Sequence, residues 1–239
     1  MKNDRYIRQL GIPGWGEEGQ KRLEASSVFI AGLGGLGSPV AMYLAAAGTG
    51  HLRICDMDRI QSSNLNRQIL YSDNDIGKLK ATIAAEKLLD MNSGIRCEAL
   101  PYSISKGNIE ELAGEAMVLV DCLDNYPSRQ ILNRFAVEHH LPLVHAGVQG
   151  ISGQISFLHP PETPCLECIY GEMEDSGPNP IAGAIAGIMG SMQAMEVLKF
   201  ITGCGNVLKN KMLIVDGEST TCHETSIIRY NNCPICAGS

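Results

Sequence analysis

The chain has no excess of basic charge: 19 Lys and Arg stand against 26 Asp and Glu, for a net charge of −7 over 239 residues. Sequence-independent binding to DNA or RNA needs a broad basic face, so a nucleic-acid partner is not expected. The N-terminal MKNDRYIRQL holds no apolar run and does not read as a secretory signal. The longest uncharged apolar stretch begins at Ile181 and reaches Met195. It is rich in Gly and Ala and shorter than the ~20 apolar residues of a membrane span. A cytoplasmic protein with no membrane partner is therefore expected. Internal repeats and low-complexity tracts are missing. With 44% apolar and 19% charged residues, long disordered tracts are not expected either. Nine cysteines are many, but without an export signal they read as reduced thiols, not a disulfide framework. Cys55, Cys97 and Cys122, each beside apolar residues, read as core thiols.

The pattern that is present alternates. Residues 4–25 suit two short amphipathic helices broken by Gly11, Pro13 and Gly14. Strands are predicted at 27–31, 52–55, 95–100, 116–120 and 143–145, and helices at 38–47, 78–91 and 128–139. This rhythm implies a mainly parallel sheet covered on both faces. Near Gly150 it changes. A strand at 151–158 follows without a helix before it, then a Pro- and Gly-rich stretch, 159–180, reads as a long crossover loop. A small-residue helix at 187–201 and two closing strands at 212–215 and 226–230, read as antiparallel, complete the chain. The expected architecture is one α/β domain, 1–239. It comprises a nucleotide-binding part (1–158), the crossover (159–180) and a C-terminal extension (181–239).

Four motifs carry chemistry. GLGGLG, Gly32 to Gly37, follows a strand and opens a helix, and Gly32, Gly34 and Gly37 match G-x-G-x-x-G. Such a turn lets backbone approach phosphate, with the helix N-terminus facing the anion. Asp56, at the end of the second strand, suits ribose hydroxyls. Together they indicate a nucleotide on a Rossmann-like doubly wound sheet, without separating NAD from ATP. SNLNRQ, Ser63 to Gln68, followed by Gly77, Lys78 and Lys80, reads two ways. Asn64, Arg67 and Lys80 suit a triphosphate whose leaving pyrophosphate gains charge. They equally suit a solvated surface loop. In DCLDN, Asp121 to Asn125, Asp124 could hold Mg²⁺ and Asp121 could cap the next helix. Cys165 and Cys168, with Cys233 and Cys236, form two C-x-x-C pairs 64 residues apart. They favour a closed structural zinc site over a redox dithiol. His139, His140 and His145 lie in no motif with a partner and read as surface or structural. Arg5 and Arg8 read as surface charges.

Taken in order, GLGGLG, D-M-D at 56–58, SNLNRQ, G-K-L-K at 77–80, DCLDN, SMQAMEVLK at 191–199 and the paired C-x-x-C resemble the ThiF/MoeB/HesA family. These are prokaryotic relatives of ubiquitin-activating enzymes, and the resemblance spans nearly the whole chain. It implies ATP- and Mg²⁺-dependent adenylation of the C-terminal glycine of a ubiquitin-like sulfur carrier ending in Gly-Gly. The pathway implied is thiamine or molybdenum cofactor synthesis. It also implies a homodimer and structural Zn²⁺ at the four cysteines. Carried over, Gly34 and Gly35 cradle phosphates and Asp56 binds ribose. Asn64, Arg67 and Lys80 contact the triphosphate, and Asp124 contacts the magnesium. Arg8 reaches ATP in the partner subunit. Attack by a carboxylate on the α-phosphorus needs no general base, in keeping with the lack of a nucleophilic triad.

Two departures qualify the resemblance. Some members carry a cysteine in the crossover loop; here 169–181 has none, and Ser176 lies roughly where one is expected. Adenylation without an enzyme thioester in that loop is the expectation, with Cys204 or Cys222 the remaining thiols. No rhodanese-like region follows Ser239 in this sequence, so a separate sulfur donor is expected. An NAD-dependent oxidoreductase and a non-catalytic relative are the alternatives.

Overall fold

A computed structural model describes residues 2–171 and 180–238. Ser176 and the middle of the crossover thus lie outside the described residues. The described chain forms an eight-stranded sheet with eight α-helices. In chain order these are α1 (Lys2–Leu10), α2 (Gly16–Glu24), β1 (Ser27–Ala31), α3 (Gly37–Ala47), β2 (His51–Cys55), α4 (Lys80–Met91), β3 (Arg96–Leu100), α5 (Ile109–Ala113) and β4 (Val118–Asp121). There follow α6 (Tyr126–Glu138), β5 (Leu143–Gln149), β6 (Ser152–Leu158), α7 (Leu166–Tyr170), α8 (Gly183–Thr202), β7 (Lys211–Asp216) and β8 (Thr221–Ser226). The strand order is β3-β2-β1-β4-β5-β6-β7-β8. The first five are parallel, and β5 through β8 pair antiparallel. The expected doubly wound sheet with antiparallel closing strands is what forms.

Burial on both faces explains the apolar run SVFIA. Val28 and Ile30 enter one core with α3, α4 and α8, while Phe29 and Ala31 enter the other with α5, α6 and α7. All four are inaccessible to solvent, as a central parallel strand requires. The chain leaves β1 towards one face through α3 and leaves β4 towards the other through α6. A crevice therefore opens between the C-terminal ends of β1 and β4. Within SMQAMEVLK, the buried Gln193 of α8 donates to the carbonyls of Asp121 (2.8 Å) and Val144 (3.1 Å), tying α8 to the two strands that form the crevice floor.

Three expectations are corrected. The last strand is Thr221–Ser226, not 226–230; it pairs along the whole of β7 from Asp216↔Thr221 to Lys211↔Ser226. All six of its residues are exposed, so it carries no apolar alternation to read. The crossover read as loop contains α7, and a short α5 precedes β4. Helix α8 starts at Gly183 and runs 20 residues, with a mean hydropathy of 1.3 over its most apolar window. By length and composition it could cross a membrane, contrary to the length estimate from sequence. Its apolar character is accounted for by packing on α3, β5 and β6, and 56% of that window is buried.

Candidate functional site

A cavity of about 840 Å³ lies over the C-terminal ends of β1, β2, β4 and β5. The glycine turn forms one wall, and its glycines divide the work. Gly32 has φ +92°, and a Cβ there would sit 2.6 Å from the Cys122 carbonyl oxygen. A Cβ on Gly37 would fall 2.0 Å from the Gly32 carbonyl oxygen. These two permit the turn itself and the close seating of α3 on β1. Gly34 differs: its nearest neighbour would be the Gln68 Nε2 at 3.5 Å, on the cavity side. Gly37→Ala should therefore cost about 3 kcal/mol in chemical denaturation, since backbone cannot yield to it. Gly34→Ala should leave stability within about 0.5 kcal/mol and weaken nucleotide binding instead. Helix α3 has no acidic residue in its first turn, and Gly35 and Leu36, just before it, line the cavity at the positive end of the helix.

Asp56 follows β2 and lines the cavity. Its Oδ2 accepts from the Leu33 amide at 2.8 Å and its Oδ1 from the Asp58 amide at 2.9 Å. Burial pushes its carboxyl up, opposed by Lys80 and these amides. Lys80, the first residue of α4, is 5% exposed. Its Nζ is 2.8 Å from Asp58 Oδ2 and 3.9 Å from Asp56 Oδ2. Arg67 lines the cavity with Nη1 donating to the Ser63 carbonyl at 3.0 Å. Gly35 and Asp124 also line it, and Asp124 is exposed. The structure thus brings Gly34, Gly35, Asp56, Arg67, Lys80 and Asp124 to one cavity. Asn64 is not among its lining residues. Its Oδ1 accepts from the Gln61 amide at 3.1 Å, closing the 3₁₀ turn Ser62–Asn64 that presents Arg67. Arg8 is exposed on α1 and does not line this cavity.

Sequence reasoning missed several lining residues. Gln68 is buried with its Oε1 unpartnered. Ile104, in the connection from β3 to α5, adds an apolar wall. His145 is not on the surface: it is 1% exposed, with Nδ1 2.7 Å from Asp121 Oδ2 and Nε2 2.9 Å from the Tyr170 hydroxyl. Asp121 does not cap α6. That role belongs to Asn125, whose Oδ1 accepts from the Ser128 amide at 3.0 Å. Burial alone would raise the Asp121 carboxyl, but Arg129 and His145 outweigh it and hold it below its usual value. Burial lowers His145, which stays neutral. Cys55 and Cys122 also line the cavity. Burial, reinforced by Asp56, pushes the Cys55 thiol up to about 12. Burial beside Asp121 likewise raises Cys122. Neither supplies a thiolate at neutral pH. Cys204, beside the Pro13 carbonyl, and Cys222, exposed on β8, lie outside the cavity lining.

The four remaining cysteines meet. Cys165 is the N-cap of α7 and Cys168 lies within it; Cys233 and Cys236 return in the C-terminal tail. All four are buried with their sulfurs within 4.8 Å of one another. The Sγ–Sγ separations include 3.5 Å (Cys168–Cys236), 3.7 Å (Cys165–Cys233) and 4.0 Å (Cys165–Cys168). A tetrahedral ZnS₄ unit with Zn–S of ~2.3 Å has edges of ~3.8 Å. The donor set and spacing fit zinc with no open coordination position.

A glycine turn between β1 and α3, an acidic residue after β2 and a crevice where the strand order reverses define a nucleotide-binding protein of the doubly wound α/β class. The chain belongs to the ThiF family, whose model matches residues 6–235. It is similar to the sulfur carrier protein adenylyltransferase of Thermus thermophilus, 36% identical over 98% of this chain and 90% of that protein. It is also similar to the adenylyltransferase and sulfurtransferase MOCS3-1 of Drosophila pseudoobscura pseudoobscura, 38% identical over 98% of this chain. The chain spans about half the length (53%) of that relative. The named activities place these homologues among nucleotidyltransferases. Among solved structures, E. coli MccB with ATP superposes with a TM-score of 0.87 at 26% identity, over 99% of this chain and 75% of that one.

Proposed function

We propose that this chain uses ATP to adenylate the C-terminal glycine of a ubiquitin-like sulfur-carrier protein ending in Gly-Gly. The carrier carboxylate attacks the α-phosphorus, the bond to the bridging oxygen breaks, and pyrophosphate leaves. The observation that carries this reading is the convergence of Arg67, Lys80 and Asp124 on the cavity beside the glycine turn. The nucleophile is already an anion, so the site must place two anions together and take up charge on the leaving group. Gly34 and Gly35 admit the phosphates, Asp56 takes the ribose, and Arg67 and Lys80 face the charge that grows on pyrophosphate. Asn64 supports Arg67 by closing the turn before it. Asp124 would hold Mg²⁺, which screens the triphosphate when bound. Cys165, Cys168, Cys233 and Cys236 would hold Zn²⁺ in a structural role.

Arg8 lies outside its own cavity, so its contribution requires a homodimer in which it reaches the partner's nucleotide. A separate protein would deliver sulfur to the activated carrier. ATP–pyrophosphate exchange against a panel of Gly-Gly carriers from the same genome tests the reading. Exchange dependent on one carrier is expected, and that carrier assigns the pathway, thiamine or molybdenum cofactor. Exchange with none of them, by protein that binds ATP, would overturn it.

A further inference from the structure

Asp121 and His145 take no direct part in the chemistry above, yet His145 lines the cavity and the fully buried Asp121 lies directly beside it. They are register partners on the parallel strands β4 and β5, so their side chains meet across the ladder. The hydrogen bonds around them have one consistent direction. The Gln154 amide donates to the Tyr170 hydroxyl at 2.6 Å. The Tyr170 O–H is then free to donate to His145 Nε2, 2.9 Å away. With Nε2 accepting, the proton of a neutral imidazole sits on Nδ1 and is donated to Asp121 Oδ2 at 2.7 Å. The other Asp121 oxygen, Oδ1, accepts from the Leu123 amide at 3.1 Å. Arg129 completes the frame. Its Nε is 3.4 Å from Asp121 Oδ2, and its Nη2 donates to the Leu123 carbonyl and, at 3.3 Å, to that of Ala146. Leu123 is therefore held at both its N–H and its C=O. The next residue is Asp124.

We propose that His145 is a positioning residue: its Nδ1–H fixes the Asp121 carboxylate, which together with Arg129 clamps Leu123 and sets where Asp124 presents its carboxylate to the cavity. This rests on the reading that the cavity takes ATP with Mg²⁺ at Asp124. The sequence could not show it, because Asp121 and His145 are 24 positions apart and only the strand register joins them.

Two substitutions in the full chain separate the two imidazole nitrogens. In His145→Asn the side-chain amide occupies the Nδ1 position and keeps the donor to Asp121. In His145→Gln it reaches the Nε2 position and faces Tyr170, leaving Asp121 without that donor. Calorimetry would give the ATP Kd of each with and without Mg²⁺, with Tm measured alongside. Both variants should bind magnesium-free ATP within about twofold of the parent. The Asn variant should keep the parent's gain in affinity on adding Mg²⁺. The Gln variant should lose about tenfold of it, the scale of one charge-assisted hydrogen bond. Equal loss in both variants, or no loss in either, would overturn the proposal. Failure of the parent chain to bind ATP at all would overturn the functional reading, and this inference with it.

Discussion

Asp124→Ala is expected to lower carrier-dependent ATP–pyrophosphate exchange by about 100-fold or more, the scale seen when one preorganised charge-stabilising group is removed. Its Tm should stay within about 2 °C of the parent, as for an exposed side chain outside the core. The side chain is exposed, and the Asn125 side-chain Nδ2 donates to its Oδ1 at a long 3.5 Å. Little of the fold depends on it, so a loss of activity reports on the chemistry alone. Raising Mg²⁺ should recover part of the loss if the carboxylate holds the ion. Arg67→Ala should lose exchange comparably, with some loosening of the turn, because its guanidinium also bonds the Ser63 carbonyl and Asn66. Full activity in both variants would refute the site assignment.

Lys80 is a poorer probe of the same chemistry. It is buried, and its ammonium sits between Asp58 and Asp56. Lys80→Ala would leave Asp56, already deprived of water, without its nearby cation. Removing one partner of a buried pair costs more than the pair contributes. The variant would lose stability as well as activity, and the two losses could not be told apart by rate alone. The pairing also has a functional meaning. On the proposed reading, Asp58 satisfies the Lys80 charge before a triphosphate arrives, and entering phosphates would compete with a carboxylate at 2.8 Å. The cation is thus kept in place without being left unpaired in a partly dry cavity.

The parallel half of the fold was legible because its strands are buried on both faces and its helices are punctuated by Gly and Pro. SVFIA and the turn after it specify β1 and α3 almost to the residue. The motif residues were legible for a related reason: glycine turns and clustered charges lie close together in the chain. What could not be read depends on contacts between distant segments. β8 forms on backbone pairing to β7 with every side chain exposed, so no hydrophobic period marks it. α7 is five residues long, too short to show a helical period, and is held by Leu166, Ile169 and Tyr170 on the second core together with the cysteine cluster. Asn125 took the capping role because Asp121 is the last residue of β4, too early to cap α6, and its carboxylate is already committed to His145, Arg129 and Leu123. The motif DCLDN thus splits three ways: Asp121 holds the floor, Asp124 faces the cavity and Asn125 starts the helix.

Purified chain should contain about one zinc per molecule, and Cys233→Ser should lose most of it. The same variant should lower Tm by roughly 10 °C, because a metal held there would tie two segments 64 residues apart. Treated as a cross-link, closing a loop of that size removes about 4 kcal/mol of denatured-state entropy, and a domain of this length shifts by about 2–4 °C per kcal/mol. The four thiols form a small buried cluster with Val137 of α6, separate from the two main cores. Its loss should therefore release the tail before the sheet, with far-UV circular dichroism at 25 °C near that of the parent and amide exchange rising first at 229–238. The consequence reaches the cavity as well. Cys168 lies two residues before Tyr170, whose hydroxyl meets both His145 and Gln154 at the cavity floor. Freeing α7 from the metal should loosen that contact, so Cys233→Ser should also weaken Mg²⁺-dependent ATP binding although no cysteine of the cluster touches the cavity. Loss of zinc with ATP binding and Tm unchanged would show that the metal leaves α7 and the floor as they are, and would reduce the site to a tether for the tail.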